Sequence, residues 1–399
     1  MPRRHLAMLL ATAALATAAM PAHADRTEAL LSVLRAKGII TEQEYQSLLA
    51  EADAEMARQS AAVTTSQPAP AMETAQAALD DKRAVRMTES GMGFEMGGST
   101  LKFSGSVNGF YVHDSPEEAG PGTTVVGGLA AVGDNSSSIR NGLLPGFLKI
   151  DVTTNQLGWD VGAHIGFYPG INSVDYIGGA NSAGNPGALG TAGIDARQTY
   201  LTVGRPKLGE FKIGRDIGLF ASEAILNDIS LLGVGTPAGN PAPSNTTLGR
   251  IGLGYIYTDF QPQITYSTPK LGGFQGSFGI FQPLRTAGRP GEVNDTPGFQ
   301  GKLTYDFKAT DQFSGRVWVS GIVQNHDESA PGFDDDYTGS AFDFGTRLAF
   351  GPAALTGYYY RGSGVGTTGL FIFAVDDAGN KRDSSGFYVQ GTYSIGKLL

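Results

Sequence analysis

Apolar and polar residues alternate with a period of two along most of this chain. Trp159, Val161, Ala163, Ile165 and Phe167 interleave with Asp160, Gly162, His164 and Gly166. The same period runs through Phe299, Gly301, Leu303, Tyr305 and Phe307, and again through Phe313, Gly315, Val317, Val319, Gly321 and Val323. Successive side chains of a β-strand point to opposite faces, so each run has one apolar face and one polar face. The pattern predicts strands over residues 101–113, 144–155, 157–168, 196–204, 210–215, 250–268, 274–281, 299–307, 313–324, 341–350, 354–361 and 386–393.

The connections between these strands alternate in length. Residues 155–156, 205–209, 269–273, 308–312 and 351–353 are short; 114–143, 169–195, 216–249, 282–298, 325–340 and 362–385 are long. A soluble sandwich has no reason to segregate its loops in this way. Short turns at one end and long loops at the other are the layout of an outer-membrane barrel, with an apolar face toward lipid and a polar lumen. The predicted fold class is therefore all-β: a transmembrane antiparallel up-and-down β-barrel over residues 98–399, preceded by a short α-helical segment. Residues 394–397 read as a turn and Leu398-Leu399 as the start of another strand. The expectation is a sixteen-strand barrel whose last strands lie beyond the sequence shown.

The N-terminus follows a different rule. Residues 1–24 combine Arg3 and Arg4, an apolar run over 6–20 and an Ala22-His23-Ala24 cleavage site, the signature of a secretory signal. Residues 25–60 carry a helical period: Leu30, Leu31 and Leu34, a stop at Gly38, a capping box from Thr41 to Glu44, then Tyr45, Leu48, Leu49, Ala52 and Met56. Such a hairpin is too small to bury a core alone, so self-association as a periplasmic coiled coil is expected, with a hairpin folded on itself as the alternative. Residues 61–97 read as a linker, with Pro68, Pro70 and several Thr and Ser.

Composition narrows the function. No cysteine is present, so disulfide and thiol chemistry are excluded. The net charge of −9 becomes −11 once residues 1–24 are removed with their two arginines, which excludes a nucleic-acid partner. Gly364-Val365-Gly366-Thr367-Thr368-Gly369 matches a dinucleotide-loop spacing, but Leu370-Phe371-Ile372-Phe373 follows where a helix should open, so it reads as a loop. Asp334, Asp335 and Asp336, near Asp327 and Glu328, are of the ligand type that holds Ca²⁺, yet match no EF-hand spacing and read as a solvated acidic loop. No histidine pair or nucleophile elbow points to an enzyme, and no cofactor is called for. Aromatics near strand ends, Tyr358, Tyr359, Tyr360, Phe371, Phe373, Phe387 and Tyr393, are placed at the membrane interfaces.

A resemblance lies in the middle third. Arg197-Gln198-Thr199-Tyr200 is followed by Gly209-Glu210-Phe211-Lys212-Ile213-Gly214-Arg215, then by Gly249-Arg250 and by Tyr266-Ser267-Thr268-Pro269-Lys270-Leu271-Gly272-Gly273-Phe274. In order and spacing this resembles the general Gram-negative outer-membrane porins, and residues 30–49 resemble the helical-hairpin modules at the mature N-terminus of several porin families. The resemblance implies a homotrimer in outer-membrane lipid and lipopolysaccharide. It also implies a third loop, here 216–249, folded into the lumen with its carboxylates facing basic residues across the pore. On that basis Asp228, Glu223 and Asp216 form the acidic side, and Arg250, Arg197, Lys149 and Arg215 the basic side. A second loop carboxylate is expected where this chain has Leu232, and strict alternation turns Arg215 outward. The implied function is passive diffusion of small hydrophilic solutes and ions. A channel selective for small carboxylates or sugars, and a non-conducting structural or adhesive barrel, are the alternatives.

Overall fold

The computed structural model describes residues 35, 41–43, 45–47, 50, 85–89, 91–118, 120–122, 135–171, 194–236, 246–289, 291–327 and 336–396. The chain divides into two compact units, residues 1–81 and 82–399. In the first, Tyr45 N–H donates to the Thr41 carbonyl at 2.9 Å, the bond of a helical turn. Arg35 pairs with Glu42 at 3.2 Å and lies 4.4 Å above the Tyr45 ring. Glu44, Gly38 and the remaining apolar positions of the expected hairpin lie outside the described residues, as does the signal segment.

The second unit is built of sixteen described strands: β1 (Arg86–Met87), β2 (Met92–Met96), β3 (Ser99–Ser106), β4 (Phe110–Asp114), β5 (Ser136–Arg140), β6 (Phe147–Gln156), β7 (Trp159–Pro169), β8 (Ile194–Arg205), β9 (Gly209–Ile217), β10 (Phe260–Ser267), β11 (Phe274–Phe281), β12 (Gly298–Lys308), β13 (Phe313–His326), β14 (Tyr337–Phe350), β15 (Ala353–Ser363) and β16 (Asp383–Tyr393). Fourteen of them form one antiparallel sheet in chain order, with β4 and β5 paired apart from it. β1 and β16 are not paired with each other among the described residues. Nearest-neighbour pairing in chain order is the up-and-down topology that the loop lengths predict.

Turn chemistry sets the register at the short-turn end. Leu157 and Gly158 both hold positive φ, 53° and 80°, between the paired residues Gln156 and Trp159. This is a two-residue hairpin turn whose twist matches that of the strands, and it lies two residues past the turn expected from the sequence. Gly97 and Gly98 repeat it between β2 and β3.

Alternation decides which face meets which surroundings. Phe211, Ile213, Ile264, Phe278, Leu303 and Val319 stay 45–58% exposed on the outer face. A face of this kind is an error in water and a requirement in lipid. Rings are linked in series near the short turns: Phe274–Tyr305 at 4.3 Å, Tyr305–Phe307 at 5.9 Å, Phe307–Phe313 at 5.5 Å and Phe313–Phe350 at 4.8 Å. This is the geometry of an aromatic girdle at a membrane interface. By contrast Tyr358, Tyr360 and Phe371, expected at the interfaces, are buried in the interior.

Three elements differ from the sequence pattern. Residues 101–113 divide into β3 and β4, with β4 leaving the main sheet. β1 and β2 occupy the end of the predicted linker. Residues 250–259 are turns and not strand, because Gly252 and Gly254 hold φ of 82° and 92° and Asp259 holds 60°. Their apolar residues Ile251, Tyr255 and Ile256 are fully buried, so the alternation there records packing inside the barrel.

Candidate functional site

The interior is partly filled by residues 218–236 and 246–259, which pack on the inward positions of β12–β16. Phe220, Ala224, Ile225, Ile251, Tyr255 and Ile256 form one cluster with Trp318, Ile322, Tyr358, Tyr360 and Tyr388 of the wall. The segment carries a short helix, α1 (Ser222–Leu226), entered through Ala221 at φ 58°. Four N–H groups at a helix start have no intrahelical partner, and the wall supplies acceptors nearby. Gln300 Oε1 accepts from Leu219 N at 2.8 Å and Phe220 N at 3.0 Å, and Asp343 Oδ2 accepts from Ala221 N at 2.7 Å. At the far end Tyr388 OH donates to the Ala224 carbonyl at 2.8 Å, and Gln390 Oε1 accepts from Ile229 N at 3.1 Å.

Glu223 lies on α1 with Lys302 Nζ at 3.2 Å and Arg316 Nη1 at 3.4 Å. Both cations stand on the same wall, β12 and β13. Arg316 also grips Asp306 through two bonds, 2.6 and 3.0 Å, the forked geometry that suits guanidinium and carboxylate. Asp228, with no exposed side-chain surface, accepts from Ser230 N and Oγ at 2.8 Å each and from Tyr255 OH at 2.7 Å. Arg250 Nη2 lies 3.2 Å from Asp228 and donates to Gln390 at 2.8 Å, with its guanidinium 4.3 Å over Tyr388. The structure thus brings Asp228 and Arg250 together on one side, within the loop and its wall, and not across the lumen from each other. Arg250 was expected on a strand; the glycine turns that follow it place it in the loop.

The other predicted residues stand on β6, β8 and β9. Asp216 pairs with Lys212 of its own strand and accepts from Gln198 Nε2 at 2.8 Å. Arg215, one residue from Asp216, falls on the outward face with Phe211 and Ile213 and joins none of these contacts. Arg197 would face outward by alternation too. It turns inward because β8 holds two residues, Ala196 and Arg197, opposite Phe167 alone between the pairs Gly166–Gln198 and Tyr168–Asp195. Such a bulge re-aims a side chain. Its guanidinium lies 4.8 Å over Tyr168 and 5.6 Å from the Phe260 ring. Lys149 Nζ lies 5.4 Å from the Phe147 ring. Lys149 and Arg197 line a cavity of about 240 Å³ whose opposite side is apolar: Ile225, Leu226, Leu231 and Ile251 of the loop. The rim of the loop is apolar as well, with Leu226, Ile229 and Leu232 at 55%, 59% and 81% exposure. A second space of about 610 Å³ lies toward the short turns, among Thr153, Asp160, His164, Tyr200 and Lys212.

Lys302, Arg316, Gln300, Asp343 and Gln390 were not singled out from sequence. Each is a polar residue on the inward register of an alternating strand, which marks a lumen position but does not distinguish one that anchors a loop from one that meets water. Among the described residues no group of three or more His, Asp or Glu is placed to hold a metal ion.

A family model described as Gram-negative porin matches residues 11–399. No curated protein sequence matches the chain. Among solved structures it is similar to the outer membrane channel DcaP of Acinetobacter baumannii: 18% identity, TM-score 0.52, covering 78% of this chain and 77% of that one. It is also similar to an anion-selective porin from Comamonas acidovorans, at 17% identity and TM-score 0.42 over 66% of this chain and 68% of that one. A loop-deletion mutant of OmpT from Vibrio cholerae gives 13% identity and TM-score 0.42 over 75% and 78%.

Proposed function

The chain belongs to the Gram-negative porin family, an outer-membrane channel and not an enzyme, and we propose that it passes small hydrophilic solutes and ions by diffusion through a lumen narrowed by residues 218–236 and 246–259, with a preference for anions. One observation carries the preference. Two loop carboxylates are taken up by cations on their own side, Asp228 by Arg250 and Glu223 by Lys302 and Arg316. Lys149 has no carboxylate at ion-pair distance among the described residues and faces the apolar side of the loop across the cavity. A solute crossing this gap meets positive charge against hydrocarbon, and low-dielectric walls focus the field of such a charge.

The same cavity favours one alternative, selectivity for small carboxylates with an apolar body, whose charged end would meet Lys149 and Arg197. Assembly as a homotrimer and export by a cleaved signal belong to the same reading. Single-channel recordings under a salt gradient test it. The reversal potential is expected to report anions over cations. Lys149→Gln should cut that ratio by about fivefold, the effect of about 1 kcal/mol from a unit charge at contact distance in water. A cation-preferring native channel, or a folded barrel that never conducts, would end this reading.

A further inference from the structure

One row of paired residues crosses the loop-bearing wall near the short-turn ends of its strands: Asp306 of β12, Arg316 of β13, Arg347 of β14, Thr356 of β15 and Gln390 of β16. Arg316 and Arg347 are direct cross-strand partners. The register of β14 runs without a bulge from Asp343, whose carboxylate meets the loop, through Gly345 to Arg347. Both arginines therefore stand on the lumen face. Like charges set directly opposite each other destabilise a sheet.

The two arginines are not equally compensated. Arg316 directs its N–H groups to Asp306 and to Glu223 of the loop. Asp306 also meets Lys270 at 2.8 Å, and Glu223 also meets Lys302 at 3.2 Å. Asp343 accepts from Ala221 N and Ser320 Oγ at 2.7 Å each. Thr356 is buried, and Gln390 is engaged by Ile229 N and Arg250. Arg347 is exposed, with no carboxylate at ion-pair distance among the described residues. Its charge is the unmatched one of the row.

The surroundings of Arg347 open one way. One step deeper on the same face stand Trp318, Tyr358 and Tyr388, each 4% exposed and packed under the loop. One step toward the short turns stand Ser314, Ala349, Ala354 and Thr392, all small. A solute reaches the guanidinium from the short-turn mouth, and the aromatic cluster closes the way behind it.

We propose that Arg347 is a station for small oxyanions on the short-turn side of the constriction, a second contact for anions that pass Lys149 of β6. The station rests on the anion-preferring reading of the pore. A guanidinium offers paired N–H groups to two oxygens at once, so an oxyanion is held in preference to chloride. A bound anion also offsets the repulsion between Arg316 and Arg347.

Single-channel recording of the full chain in potassium chloride, with inorganic phosphate added to one chamber at a time, tests this. Phosphate is expected to interrupt the chloride current, and to do so more often from one chamber than from the other, as a site open to one mouth requires. Arg347→Gln should weaken the block about tenfold, the loss of one charge-assisted hydrogen bond. Arg347→Lys keeps the charge and loses the fork, so it should weaken the block and leave the reversal potential in chloride unchanged. Lys149→Gln should leave the block in place. Cation preference in the native channel ends the pore reading and the station with it. The station alone is overturned by an anion-preferring channel that phosphate never interrupts, by a block equal from both chambers, or by one that survives R347Q or disappears in K149Q.

Discussion

Single residues show where the interior tolerates no change. Gly345 on β14 lies opposite Trp318 on β13, and a β-carbon there would come 2.3 Å from Trp318 Cζ2. The indole cannot swing aside cheaply, because it belongs to the cluster that supports the 218–259 loop. Gly345→Ala should cost about 1–3 kcal/mol by overpacking, read from urea unfolding in detergent, with Trp318 emission shifting to the red. Glu292 sets a pH limit of its own. Burial raises its carboxyl, but hydrogen bonds from His326, Thr286 and Asn294 hold it down to about 2, so the stabilisation is complete above the unfolded value of about 4.3 and is lost as pH falls through about 2. Glu292→Gln should flatten that acid limb of the unfolding curve, and an unchanged limb would show that other carboxylates dominate.

At the scale of elements, residues 219–229 of the loop are held by hydrogen bonds from the wall more than by their own secondary structure. α1 has five residues, far too few to be stable alone. Gln300 satisfies two of the N–H groups that precede it. Gln300→Ala leaves both donors without this partner, at about 1–3 kcal/mol for the buried Phe220 N–H and less for the part-buried Leu219 N–H. The expected outcome is a looser loop, seen as a noisier and larger single-channel conductance; a native trace would mean that Asp343 and Gln390 suffice. The strands that supply these anchors were legible from alternation, since Gln300, Lys302, Arg316, Asp343 and Gln390 all fall on inward register. The fold of the loop was not, because burial inside a barrel gives 250–259 the same apolar content as a strand. Arg197 illustrates a second limit: one extra residue in β8 reverses its side, and nothing in a period-two pattern announces a bulge.

For the whole molecule, exposed apolar side chains and linked rings assign the outer face to lipid and the short turns to one membrane surface. The two tryptophans report on this directly. Trp159 begins β7 beside the Leu157–Gly158 turn, with the Arg205 guanidinium 4.1 Å over its ring, while Trp318 is buried inside. In vesicles with brominated lipids, Trp318→Phe should leave emission that is quenched most by bromines near the headgroups. Deepest quenching at mid-chain would misplace the girdle. The direction of the strands and the alternation of short and long connections were legible in the sequence, because the two-residue period and the turn residues act over a few neighbours and need no tertiary partner. The number of strands was not, since β1 and β2 come from the predicted linker and β4 leaves the main sheet. Which carboxylate meets which cation was decided only by the tertiary structure. Asp228 and Arg250 both lie in the region a pore reading singles out, yet a buried charge must be neutralised within a few ångströms, and the chain satisfies that locally before any charge is left to face the lumen.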